Sequence, residues 1–357
     1  MSLSFLSKYV FLAALSATSI LAADVIASGL NNPRGIAFSP NGDLFVAEAG
    51  TGGTGPCIPT SNGTTPCLGT TGSITRIDLR KGTQDRVATG FPSLAGSNGN
   101  GAIGPADISF QGQGNGYITV GLTANPASRS ALGNAGAAMA HEARMQPNGK
   151  WSVEADLGLF EMTNNPAGGP VDTNPFGILA LPGKQIVTDA GGNDLLEIGA
   201  NGTVNLLAVF PSQLAVGPGG GMIPAEAVPT TVALGPDGAY YVGQLTGFPF
   251  QPGLANVYRV SAEGGTPTVA YSGFTNIISI AFGPDGSLYV LEISKNGLRS
   301  GNPVGALIKV LPDGTRTELA AGQLFMPGGL ALASDGTIYV TNWSVLAGGG
   351  QVLRIQQ

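Results

Sequence analysis

Five oxygen-bearing side chains recur at one spacing in this sequence. Six residues past a turn glycine stand Glu48, Asp189, Gln244, Glu292 and Asn342, and the sixth member of the series is Leu122. A second series, Arg34, Asp107, Asn174, Thr231, Asn276 and Gly328, opens the same units a little upstream. Three of the first series are acidic in a chain with only 11% charged residues. Carboxylate and amide oxygens gathered round a small opening suit a hard cation, Ca²⁺ first, which takes about six to eight oxygen ligands. The metal candidates are therefore Glu48, Asn174, Asp189, Asn276, Glu292 and Asn342. Arg34, Asp107 and Gln244, with the aromatic Phe248, Phe250 and Trp343, make a candidate ligand surface suited to a flat molecule. The same oxygens have a second use: they can satisfy loop N–H groups, as buried polar groups generally must.

The elements that position these residues come from a repeat. "AFSPNGDLFVAE" at 37–48 returns as "ALGPDGAYYVGQ" at 233–244, "AFGPDGSLYVLE" at 281–292 and "ALASDGTIYVTN" at 331–342, with weaker copies at 109–122 and 179–189. Each copy reads as strand, tight turn, strand, with turn glycines at Gly42, Gly116, Gly183, Gly238, Gly286 and Gly336. A second strand pair follows five of the copies, but the last ends at "GQVLRIQQ". The segment "DVIASGL" at 24–30 matches the missing piece. Six four-stranded units whose two ends complete one sheet predict an all-β fold, a six-bladed β-propeller closed by the N-terminal strand. A β-sandwich would not produce six homologous units.

Let A to D name the strands of a blade from the axis outward. The A–B and C–D turns are short and share one face. The long segments, 49–72, 123–138, 163–175, 211–228, 245–254 and 294–304, are all B–C or D–A connections on the other. That face is the expected working face, because function collects on loops held by a rigid scaffold.

The chain has 357 residues, 57 of them glycine, and a net charge of −6, with no basic run; nucleic acid is excluded as a partner. Residues 1–22 read as a signal peptide: Lys8 precedes an apolar stretch, and small residues offer cleavage after Ser19 or Ala22. The expected protein is secreted, or periplasmic in a bacterium, a monomer without a membrane span, with one propeller domain over 23–357. Cys57 and Cys67 share one loop and should be bonded after export. Asn62, Asn201 and Asn342 begin N-glycosylation sequons. His141, the one histidine, falls near the start of a C strand, far from the axis, where a catalytic base is not expected. No G-x-S-x-G elbow is present.

The segments "NPRGIAFSPNGDLFVAEAGTGGTGPC", "VDTNPFGILALPGKQIVTDAGGNDLL", "YYVGQLTGFPFQPGLANVYRV" and "GFTNIISIAFGPDGSLYVLE" span most blades. On these the chain resembles the ScyD/ScyE family of exported propellers, known beside scytonemin pigment genes in cyanobacteria; 133–145 is less typical. More distantly it is similar to NHL-repeat proteins, gluconolactonase-like and paraoxonase-like lactonases, and quinone-dependent sugar dehydrogenases. The lactonase resemblance implies an axial Ca²⁺ held by Glu, Asn and Asp, matched here in residue type only. The expectation is a secreted scaffold whose loop-rich face binds a small molecule, glycan or protein, since no catalytic group is assembled in the sequence. The alternative is an exported enzyme, either a metal-assisted hydrolase or lactonase, or a pigment-pathway enzyme acting on an aromatic substrate.

Overall fold

Alternating apolar residues on either side of a glycine turn build the basic unit. In blade 5, Asp285 accepts the Ser287 N–H and Gly286 takes φ 76°, which a side chain disfavours. The computed structural model describes residues 23–112 and 114–356. The expected signal peptide, residues 1–22, lies outside them.

Blade 1 comprises Pro33–Phe38, Leu44–Glu48, Cys67–Asp78 and Thr83–Ala95. Blade 2 comprises Pro105–Gln111, Asn115–Val120, His141–Met145 and Trp151–Asp156. Blade 3 comprises Pro175–Leu181, Lys184–Asp189, Asp194–Gly199 and Val204–Val209. Blade 4 comprises Pro229–Leu234, Tyr240–Gln244, Ala255–Val260 and Thr268–Phe274. Blade 5 comprises Ile277–Phe282, Leu288–Glu292, Ala306–Val310 and Arg316–Leu319. Blade 6 takes Leu330–Leu332, Ile338–Asn342 and Gly350–Ile355 from the C-terminus, and its outer strand, Ala23–Leu30, from the other end. Ala23 lies opposite Ile355 and Leu30 opposite Gly350, antiparallel. The A strands touch in the order 1 to 6 and back to 1, so the fold is the expected six-bladed propeller.

Neighbouring blades bury their facing apolar residues between them. Phe45, Ile74 and Phe91 of blade 1 meet Ile108, Ile118 and Val120 of blade 2. Phe91 also stacks on Trp151, ring centres 4.1 Å apart, worth about 0.5–1.5 kcal/mol beyond the area buried. Short polar side chains tie neighbouring blades near the axis: Asp107 accepts the Ile178 N–H at 3.0 Å, and Thr341 Oγ1 donates to the Arg34 carbonyl at 2.7 Å.

Four details differ from the sequence reading. In the first turn of blade 2, Gly112 and Gly114 take positive φ, whereas Gly116 is already in strand B. The register therefore puts Val120, not Leu122, at the end equivalent to Glu48: Pro105 faces Val120 as Pro33 faces Glu48. In blade 1, strand C starts at Cys67 instead of near Ser73, so part of the expected loop is paired with strand D. The segment 211–228 holds its own hairpin, Gln213–Val216 with Met222–Ala225. Finally, blade 2 runs into an eight-residue helix, α1 (Leu157–Asn164), whose N-cap Asp156 accepts the Leu159 N–H and whose C-cap Asn165 is left-handed.

Candidate functional site on the loop-rich face

Every B strand delivers its last side chain to the loop-rich face, one strand away from the axis. There each turns into its own loop. Glu48, fully buried, takes the Asn31 N–H at 2.6 Å, the Ser73 and Thr75 hydroxyls, and a two-point ion pair from Arg86 at 2.8 and 2.9 Å. Asp189 accepts the N–H groups of Asn174, Gly191 and Gly192 and the Thr173 hydroxyl. Glu292 takes the Thr275 N–H at 2.7 Å, and burial raises its pKa to about 7. Gln244 accepts the Asn256 N–H and the Gln213 amide, while Asn342 accepts the Phe325 N–H at 2.7 Å. Asn276 is buried at φ 47°, donating to the Leu245 carbonyl and accepting the Leu298 N–H. The five polar B-strand ends thus organise five separate loops. Among the described residues no three His, Cys, Asp or Glu side chains form a metal-holding group.

The mouth itself is a cavity of about 310 Å³ lined by Arg34, Asn174, Phe176, Val228 and Leu245 among others. Arg34 donates to the Ala102 carbonyl at 2.9 Å, and burial lowers its pKa to about 10. Further along strand A, Asp107 is raised to about 7 by burial, against the pull of the Ile178 and Ile108 N–H groups. Its Oδ1 lies 1.8 Å from the place a Cβ on Gly35 would occupy, so glycine is required there. Arg34 and Asn174 therefore line one cavity.

The aromatic candidates are dispersed. Trp343 stacks on Phe325 at 4.9 Å, and Phe248, 43% exposed, lies under the Arg299 guanidinium at 5.0 Å, with Phe250 two residues on in a left-handed conformation. His141 is held by Arg129 and the Met139 carbonyl, and Arg129 binds Asp156 through both oxygens at 2.7 and 2.8 Å. Burial lowers the His141 pKa. This network fixes the start of α1. Cys57 and Cys67 form the expected disulfide. Asn62 and Asn201 are exposed, but Asn342 is 2% exposed, so its amide is closed to a glycosylating enzyme in the folded chain.

A different group of acids lines a depression on this face. A groove of about 610 Å³ runs beside blade 3, between Ser61, α1, the segment before blade 3 and Glu226. Glu161, on α1, is 2% exposed and its Oε2 has no partner. Burial and the nearby Asp189 raise its pKa to about 7, against the Asp172 N–H that it accepts. Asp172 is raised to about 6, chiefly by burial, with the Ser61 hydroxyl pulling down and Asp189 and Glu226 pushing up; its Oδ1 is unpartnered. Beneath them Asp194 is buried with both oxygens unpartnered, and burial beside Asp189 and Glu161 raises its pKa well above the usual value. A carboxyl pair with separated pKa values near neutrality in a cleft is equipped for proton transfer. The sequence analysis missed Glu161 and Asp172, although Asp172 and Glu226 stand in two of the long loop segments.

The sequence matches no family model and no curated protein. Solved structures match over nearly the whole chain. A calcium-binding regucalcin from Agrobacterium tumefaciens is 12% identical with a TM-score of 0.55, covering 94% of this chain and 93% of its own. A protein proposed to be a gluconolactonase is 12% identical at 0.53, with 95% and 93% covered. A streptogramin B lyase is 13% identical at 0.51, with 94% and 98% covered. At these identities the likeness concerns the fold alone: the six-bladed chain is similar in fold to the proposed gluconolactonase and to the lyase.

Proposed function

We propose that the chain is an exported enzyme that hydrolyses a small lactone or ester by general acid–base catalysis in the groove beside blade 3. The observation that carries this is the pair of buried carboxyls, Glu161 and Asp172, linked through the Asp172 N–H, both lining the groove and each with one oxygen that no protein group bonds. Between about pH 6 and pH 7 Asp172 is ionised and Glu161 still carries its proton. Asp172 takes a proton from water as the water oxygen bonds to the carbonyl carbon. The acyl carbon–oxygen bond then breaks, and the leaving oxygen takes the Glu161 proton. Water resets the pair by moving the proton from Asp172 to Glu161. Export rests on the apolar first 22 residues and the disulfide, and the ScyD/ScyE resemblance belongs to the same reading. The regucalcin likeness makes Ca²⁺ the ion to add and omit, though no step here runs through it.

The test is turnover of a panel of γ- and δ-lactones and aryl esters by the mature chain across pH. A bell-shaped kcat/KM with limbs near 6 and 7 is expected. Asp172→Asn should lower kcat by about 10²–10⁴-fold, and Glu161→Gln should remove the alkaline limb. No turnover anywhere on the panel, with ligands nonetheless bound in the groove, would favour a binding scaffold instead.

A further inference from the structure

On the opposite face, the short turns of blades 2 and 3 enclose a cavity of about 230 Å³. Tyr117, Glu142, Arg144 and Glu154 line it from blade 2, and Leu181 and Ile198 from blade 3. Glu142 and Arg144 share one side of strand C because alternate residues share a face. The register sets Arg144 opposite Tyr117, and the guanidinium lies 6.0 Å from that ring centre.

Glu142 is 1% exposed, yet its Oε1 has no hydrogen-bond partner; the buried Arg144 Nε also has none. No ion pair joins them among the described residues. Burial, with Glu154 nearby, raises the Glu142 pKa to about 8, while Arg144 draws it down. A buried polar group without a partner is costly, so a carboxyl and a guanidinium that face one cavity without bonding each other leave two polar demands unmet. Their complement is a molecule that brings both charges. The cavity is smaller than the roughly 300–1,000 Å³ of drug-sized sites, so that molecule is small. We propose that this cavity binds a free α-amino acid, its ammonium on Glu142 Oε1 and its carboxylate on the Arg144 guanidinium, with a short aliphatic side chain against Leu181 and Ile198.

The test uses the full mature chain and calorimetric titration with four probes: glycine, L-leucine, isobutylammonium and isovalerate. Glycine or leucine should bind while the two singly charged probes do not. Glu142→Gln and Arg144→Gln, each checked for an unchanged circular dichroism spectrum, should weaken that binding by about tenfold or more, as loss of one charge-assisted contact requires. If isobutylammonium binds as well as leucine and only Glu142→Gln removes it, the site is a cation site and the amino-acid proposal fails. If none of the four probes binds the wild-type chain, the cavity holds water alone and the proposal is overturned. The groove of the proposed hydrolase lies on the other face, so lactone turnover is independent of either result.

Discussion

Glu48 separates two uses of the same residue type. It was the first cation candidate in the sequence, and in the fold it is a buried anchor for its loop and for Arg86. Glu48→Gln keeps the size and one acceptor but removes the charge and turns an NH₂ toward groups that donate. Breaking a fully buried ion pair costs about 3–5 kcal/mol. Arg86 is 43% exposed and can turn to water, so the loss should be roughly 2–3 kcal/mol, the scale of a hydrogen bond to a charged group. Unfolding entropy of about 2.1 cal/mol/K per residue over roughly 330 residues gives roughly 0.7 kcal/mol/K, so Tm should fall by about 3–4 °C. Calorimetry of wild type and variant, each with excess Ca²⁺ and with chelator, is the assay. The drop should be the same in both conditions. A wild-type Tm that rises with Ca²⁺, with the rise abolished in Glu48→Gln, would refute the anchor role and restore the cation site.

Stability should increase as pH falls from 8 to 5. Asp107, Glu142, Glu161, Asp172 and Glu292 have folded pKa values of about 7, 8, 7, 6 and 7, against about 4 when unfolded. The native state therefore binds more protons than the unfolded chain across that window, and stability is lost as pH rises through the folded values. Below about pH 4 the trend reverses, because carboxylates held low, such as Asp78 and Asp156, lose their partners. A Tm lower at pH 5 than at pH 8 would contradict this. Deleting residues 23–30 should expose the edge of blade 6 and cause aggregation or a sharp loss of Tm, read by scattering and calorimetry. Gly35→Ala should displace Asp107 and loosen blades 1 and 2, lowering the denaturant midpoint; an unchanged midpoint would mean that Asp107 moves without cost. Reducing Cys57–Cys67 should cost about 2–3 kcal/mol by loop entropy, measured as the shift in denaturant midpoint with reductant.

The blade count, the closure of the ring and the crowded face follow from local rules. A turn glycine between alternating strands repeats wherever a blade repeats, and the orphan match at 24–30 can be completed only by the sheet that lacks a strand. Blade 2 escaped because two extra turn residues shifted the register, which moved the equivalent position from Leu122 to Val120. The disulfide was legible because both cysteines share a short loop. The chemistry of the acids was not legible. Glu48 and Glu161 are one residue type, but Glu48 meets Arg86 and three further donors, whereas Glu161 is left beside Asp189 with an oxygen bare. Which donors surround a carboxylate depends on loops brought together from distant parts of the chain. Apart from the closing strand, strand pairing is decided by residues close in sequence; desolvation and partner supply are decided only once the blades have closed, and these set which acid anchors a loop and which can move a proton.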